Sequence, residues 1–185
     1  INSLLGSIGT KGGLPLTNKP ADVGRKGLNN LTDLFPKPEE KRADGVGWKY
    51  PHFDAGPGLA HLAYKAIETE DPYPIKAYMA YRHAPLMAFP EPERLKQIFS
   101  NLDLLVSVTF SWSETAWFSD VVLPLSVYLE RESIIACKNG LNPYFFVRKR
   151  AVDPRFDSKS DWEIFTRLAK KMDLTPLAFD SIEDI

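Results

Sequence analysis

Residues 102–132, LDLLVSVTFSWSETAWFSDVVLPLSVYLERE, constrain the fold more than any other part of the chain. Leu104-Leu105-Val106 is a continuous apolar run, the mark of a strand covered on both faces. Ser111-Trp112-Ser113-Glu114-Thr115 then supplies capping side chains and an acid where a short helix would begin. Asp120 leads into Val121-Val122-Leu123, a second buried strand, and Pro124 ends it because proline has no N–H to give to a ladder. Parallel strands joined by so short a helix leave a crevice at their C-terminal ends, where open α/β sheets bind ligands.

The flanking segments extend this pattern. Residues 58–70 place Leu59, Leu62, Ala63, Ala66 and Ile67 on one helical face, and Pro72 and Pro74 close the helix. Residues 75–81 read as a strand running into Arg82-His83-Ala84-Pro85. Pro90-Glu91-Pro92-Glu93 starts a helix with Leu95, Ile98 and Phe99 inward, followed by a strand at residues 103–109. Helices alternating with strands predict a parallel sheet with crossovers on its faces. Residues 133–137 and 143–148 predict two short strands around Asn139-Gly140, a pair that favours a tight hairpin turn. Arg148-Lys149-Arg150 either reaches a phosphate or forms a solvated edge that discourages strand pairing. Ser160-Asp161-Trp162-Glu163 has the spacing of a capping box and opens a helix with Trp162, Phe165, Leu168 and Ala169 inward. Asp173-Leu174-Thr175-Pro176 stops it.

The N-terminal part is less regular. Residues 1–8 read as the end of a helix, and residues 9–15 as a glycine-rich turn that either approaches a bulky group or simply ends the helix. Residues 19–57, rich in proline, glycine and charge, predict a long surface excursion held down by Trp48, Tyr50 and Phe53. The expected division is therefore an irregular lead-in over residues 1–57 and an α/β domain over 58–185.

With 185 residues and 44% apolar content the chain can build one domain with a real core. A net charge of −1 gives no nucleic-acid surface, and no apolar run is long enough for direct membrane insertion. The single cysteine, Cys137, excludes an internal disulfide, a cysteine-based zinc site and an iron–sulfur cluster held by this chain alone. The chain opens on Ile1 rather than methionine and reads as a piece of a longer protein, so compartment is open.

Three pieces in order, Ser113-Glu114-Thr115-Ala116, then Ser119-Asp120-Val121-Val122-Leu123-Pro124, then Leu129-Glu130-Arg131-Glu132, resemble the molybdopterin oxidoreductases of the dimethyl sulfoxide reductase type. Trp112, Trp117, Tyr128 and Asn142-Pro143-Tyr144-Phe145-Phe146 look most like the polysulfide and thiosulfate reductase branch. The resemblance implies a Rossmann-like three-layer α/β sheet with a small β-hairpin excursion, one domain of a larger enzyme. It implies bis(molybdopterin guanine dinucleotide) with molybdenum or tungsten, and a 4Fe-4S cluster in the intact subunit but outside this chain. The remaining domains of the same subunit, an iron–sulfur electron-transfer subunit and a membrane anchor subunit are the implied partners. A membrane-associated complex on the periplasmic or cell-surface side is the implied setting. The metal ligand and cluster cysteines would lie outside these residues, so the piece alone is expected to be inert.

Five residues are the candidate cofactor contacts. Asp161 stands just inside a helix N-terminus, where free N–H groups and the helix dipole suit a carboxylate. Its two oxygens match the two parallel donors on the guanine ring edge, and the resemblance places an aspartate at this point; helix capping is the competing role. Arg131 matches a family cation near the nucleotide, held between Glu130 and Glu132, or is an ordinary surface ion pair. Val108 and Thr109 match a cofactor contact at a strand end, where many relatives have an aspartate; Thr109 offers one uncharged hydroxyl, or caps the next turn. His83 stands beside Ala84-Pro85, where relatives have Asn-Pro, and either replaces the lost amide or is a loop residue. Glu114 and Asp120 are assigned to helix and strand starts. Two other readings stay open: a free-standing nucleotide-binding α/β domain, and a cofactor-free scaffold, as the Ala84 and Thr109 departures allow.

Overall fold

The computed structural model describes residues 1–16, 39–51, 58–133, 136–138 and 140–184. Phe53, Asn139 and most of the expected surface excursion lie outside these residues. The chain falls into two compact units. One comprises Ile1–Phe35, Val127–Arg155 and Lys159–Ile185; the other comprises Pro36–Ser126 and Phe156–Ser158.

The second unit holds the parallel sheet. Its elements run α1 (Ala60–Thr69), β1 (Ala77–Tyr81), α2 (Pro85–Ala88), α3 (Pro92–Phe99), β2 (Leu104–Thr109), α4 (Glu114–Phe118) and β3 (Val121–Pro124). The strand order is β1-β2-β3, all parallel, with Tyr78 opposite Leu105 and Val106 opposite Val121. The α/β architecture expected from the sequence is present. β2 is central and buried from Leu105 to Val108, as its apolar run dictates. β3 differs from expectation: it is the outer strand among those described, and Val121 and Pro124 are exposed. The short helix α2 is unexpected from periodicity; it starts on Pro85, where a fixed φ suits the first turn.

Side chains explain the joints. Ser113 accepts a hydrogen bond from Ala116 N at the start of α4. Asp120 takes Leu105 N at 2.7 Å while its own N–H goes to Leu105 O, which ties the entry of β3 to β2. Asp44 is buried and accepts from Val46 N, from Leu59 N at the start of α1, and from Arg42. Burial pushes its carboxyl up, but the bonds from Arg42, Leu59 and Val46 outweigh that and hold it below the ordinary value. Trp48 donates to Arg42 O, so this aromatic closes the loop ahead of α1.

The core lies between α1, α3 and one face of the sheet: Tyr64, Ile67, Leu86, Leu95, Ile98, Phe99 and Leu105. The expected α3 face is the observed one. On α1 the face is rotated, and Tyr64 joins Ala66 and Ile67 in burial while Leu62 and Ala63 are half-buried. Tyr64 meets Phe89 and Phe99 edge-on, with ring centroids 5.2 and 5.4 Å away.

In the other unit, residues 1–7 form one turn rather than a helix. Gly6, at φ 64°, ends it with N–H to Ser3 O, and Ser7 N reaches Asn2 O, the bonding of a helix C-terminus. A 3₁₀ turn covers Tyr128–Glu130. The hairpin pairs β4 (Ala136–Lys138) with β5 (Tyr144–Phe146), shorter than the sequence suggests. Its ladder closes at Lys138 opposite Tyr144, leaving residues 139–143 between the strands.

Helix α5 (Asp161–Lys171) opens on the expected capping box. Glu163 Oε2 accepts from both Ser160 N and Ser160 Oγ. Burial raises the Glu163 carboxyl, yet the Ser160 bonds and the charges of Lys159 and Arg150 leave it below its ordinary value. A depressed folded value means stability that is present at neutral pH and lost as pH falls below about 4.5 and through the folded value. Ser160→Ala should cost about 1 kcal/mol at neutral pH, and Glu163→Gln should flatten that acid-side loss in urea titrations at stepped pH. An unchanged acid slope in Glu163→Gln would reject the linkage. The buried residues of α5 are Ile164, Thr166 and Ala169; Trp162, Phe165 and Leu168 are less covered and, with Thr166 and Ala169, line an open apolar cavity of about 380 Å³.

Candidate functional site

The structure brings Arg131 and Asp161 together. Arg131 follows the 3₁₀ turn, and its NH1 donates to Asp161 Oδ2 at 2.5 Å across 30 residues of chain. The guanidinium is buried, with 6% of its side chain exposed, and the Asp161 side chain is 27% exposed. Its counter-ion is thus not the flanking Glu130, whose Oε2 is turned to Val127 N. Glu130 closes its own turn because a buried carboxylate takes the nearest free donor. Arg148, on the exit of β5, donates from Nε to Arg131 O at 3.3 Å and lies over the Tyr128 ring at 4.2 Å. This resolves the basic run in part: Arg148 braces the Arg131 backbone.

Ser160 and Glu163 form the capping box of α5, and Asp161 Oδ1 takes the adjacent first-turn Trp162 N at 3.2 Å. Two buried donors in this region, Arg131 Nε and Trp162 Nε1, have no hydrogen-bond partner among the described residues. A buried polar atom without a partner is uncommon and marks a place for an acceptor. The buried Arg131 guanidinium and the Trp162 indole thus each carry an N–H that could meet an acceptor on a bound group. Trp162 was singled out from sequence only as a core residue; an indole just after a helix cap carries no pattern that announces an unpaired N–H.

The remaining candidates belong to the sheet unit, at the C-terminal ends of β1 and β2. Val108 is fully buried, so only its backbone is left for contacts, and its carbonyl already accepts from Arg82 N. Thr109 Oγ1 donates to Ser111 O and accepts from Ser111 N, the turn-closing role. His83 Nε2 shares a hydrogen bond with Tyr64 OH at 3.3 Å, and Tyr64 OH also meets Tyr78 OH at 3.2 Å. Burial first, and then the bond to Tyr78, pushes the Tyr64 phenol well up and keeps it neutral. Arg82, not among the expected residues, takes a left-handed conformation at φ 50° on the same strand edge. Trp112 and Trp117 stack at 4.7 Å, both largely exposed, on either side of the α4 cap. Among the described residues no three His, Cys, Asp or Glu side chains are placed to hold a metal ion, and no helix is long and apolar enough to cross a membrane.

Three parallel strands with crossover helices define an α/β domain, and comparison with known proteins says of which kind. The chain belongs to the molybdopterin oxidoreductase family, whose profile matches residues 4–171. It is 33% identical over 183 residues to the thiosulfate reductase molybdopterin-containing subunit PhsA of Salmonella typhimurium, covering 94% of this chain and 24% of that protein. It is 40% identical over 81 residues to trimethylamine-N-oxide reductase of Pasteurella multocida, covering 44% of this chain and 10% of that one. Among solved structures, acetylene hydratase from Pelobacter acetylenicus superposes with a TM-score of 0.59 at 28% identity, over 71% of this chain and 18% of that one. The chain therefore spans about a quarter or less of the length of these relatives. Family membership implies a molybdopterin cofactor carrying molybdenum or tungsten.

Proposed function

We propose that this chain grips a guanine nucleotide end of bis(molybdopterin guanine dinucleotide) within a catalytic subunit that reduces thiosulfate, polysulfide or a related oxyanion by two electrons. The observation that carries the reading is the Arg131–Asp161 pair at the start of α5, a buried guanidinium held against a part-exposed carboxylate. Residues 58–185 do the gripping, and residues 1–57 are the lead-in. Asp161 accepts the paired donors of guanine, and Arg131 supplies charge and a spare donor beside it. Thr109 can turn its hydroxyl from Ser111 to a ribose, Val108 can offer only backbone, and His83 offers an imidazole steadied by Tyr64.

The pterin-held metal supplies the redox chemistry, and the residues of this chain bind and orient. The 4Fe-4S cluster and the metal-ligating side chain belong to other parts of the subunit in this reading. An iron–sulfur electron-transfer subunit and a membrane anchor subunit complete it. The likeness to a thiosulfate reductase subunit over nearly the whole chain supports the substrate class.

The test is elemental and nucleotide analysis of the full-length protein purified from its own host. Molybdenum or tungsten with iron, and GMP released on acid hydrolysis, is the expected result. An intact sample with neither metal would end the enzyme reading, and CMP in place of GMP would end the role given to Asp161.

A further inference from the structure

Tyr64, on α1, is 4% exposed, and three aromatic rings fix where its hydroxyl points. Tyr78, Phe89 and Phe99 meet it edge-on, with ring centroids 5.8, 5.2 and 5.4 Å away. The hydroxyl stands between two polar atoms, Tyr78 OH at 3.2 Å and His83 Nε2 at 3.3 Å. Both neighbours are held in turn. Tyr78 stacks on Phe99 at 5.5 Å, and His83 meets Phe89 edge-on at 5.8 Å. Burial keeps the Tyr64 phenol neutral, so it has one proton to give and two atoms able to take it.

Two arrangements bond both contacts without stranding that buried proton. In the first, Tyr78 O–H donates to Tyr64 and Tyr64 O–H donates to His83 Nε2. In the second, His83 Nε2–H donates to Tyr64, whose own O–H donates to Tyr78. The first joins the better donor to the better acceptor. A phenol O–H is intrinsically a stronger donor than a neutral imidazole N–H, and the imidazole lone pair is a stronger base than a phenol oxygen.

We propose that Tyr64 is a positioning residue for His83: its hydroxyl holds Nε2 as an acceptor, leaves the imidazole proton on Nδ1, and makes His83 a neutral hydrogen-bond donor just beyond β1. Histidine in water favours the opposite tautomer, with the proton on Nε2, so the fold imposes this one. His83 makes no other hydrogen bond among the described residues, which leaves Nδ1–H for an acceptor. A donor there suits an oxygen atom of a bound group and offers no lone pair to a metal ion or to an incoming N–H. That a ligand reaches this strand end rests on the function proposed above; the tautomer does not depend on it.

The test is solid-state nitrogen NMR of the full-length protein at about pH 8.5, where an ordinary imidazole is uncharged. Nitrogen-15 is placed at histidine Nδ1 alone, and the difference spectrum against His83→Gln isolates the His83 signal. Nδ1 should resonate as an N–H nitrogen rather than a lone-pair nitrogen, by roughly tenfold in population. In Tyr64→Phe the signal should move to the lone-pair position, because the hydroxyl is gone while the ring is kept. Tyr78→Phe leaves the Tyr64 O–H with His83 as its acceptor and should keep the N–H signal, so it serves as a second variant if Tyr64→Phe folds poorly. A lone-pair signal in the unsubstituted protein would overturn the proposal. So would an N–H signal that survives Tyr64→Phe, which gives the tautomer another cause, or a lone-pair signal in Tyr78→Phe, which moves the control to Tyr78. None of these outcomes bears on whether the protein carries molybdenum, tungsten or a guanine nucleotide, so the two readings fail separately.

Discussion

Asp161→Ala should destabilise the folded chain by about 3–5 kcal/mol, because it leaves a buried guanidinium with no counter-charge. Arg131 NH1 would lose its acceptor while Nε already lacks one among the described residues, so two donors of a single buried cation would go unpaired there. Adding Arg131→Met to the same chain should restore much of the loss, since removing both ions leaves no isolated charge to bury. Urea midpoints of the single and double variants measure this directly. A double variant as unstable as Asp161→Ala would mean that the cost comes from elsewhere, such as the start of α5. In the full-length protein the pair of variants also separates stability from binding. The double variant should fold and yet retain little pterin, whereas a scaffold role for Asp161 predicts that pterin returns with stability.

Phe99→Ala should cost about 3–5 kcal/mol by cavity formation. Phe99 is 2% exposed, stacks on Tyr78 at 5.5 Å and meets the Tyr64 ring edge-on. It joins α3 to α1 and to β1, so its loss opens the layer beneath the sheet rather than one side-chain site. Near-ultraviolet circular dichroism should report looser packing of Tyr64 and Tyr78, and Phe99→Leu should lose much less. A shift under 1 kcal/mol in Phe99→Ala would contradict the position of this residue at the centre of the cluster.

The strands and caps were legible because their causes are local. β2 follows from an unbroken apolar run, α4 from Ser113, and α5 from Ser160 and Glu163 three residues apart. Asp120 at the entry of β3 was legible for the same reason, as a short acid beside free backbone donors. Tyr64 was not. Its hydroxyl argues for an exposed site, and it is buried because Tyr78 and His83, 14 and 19 residues away, satisfy that hydroxyl. The spacing of α5 predicts one inward apolar face, but Leu168 remains 37% exposed and Trp162 and Phe165 border a cavity. Periodicity names the apolar stripe of a helix without saying how much of it is covered.

The sequence by itself determined the class of the protein: the ordered pieces between residues 113 and 132 carry the family, and period and capping carry the α/β fold. Family membership also brought Arg131 and Asp161 forward as separate candidates. Only the tertiary structure decided that they are one unit, that Glu130 is not the partner of Arg131, and that the Thr109 hydroxyl is engaged by its own turn. The physical reason is range. Caps and turns are set by neighbours a few residues away, whereas an ion pair depends on where two distant backbones are held, and many acids in a sequence are equally eligible until the chain is folded.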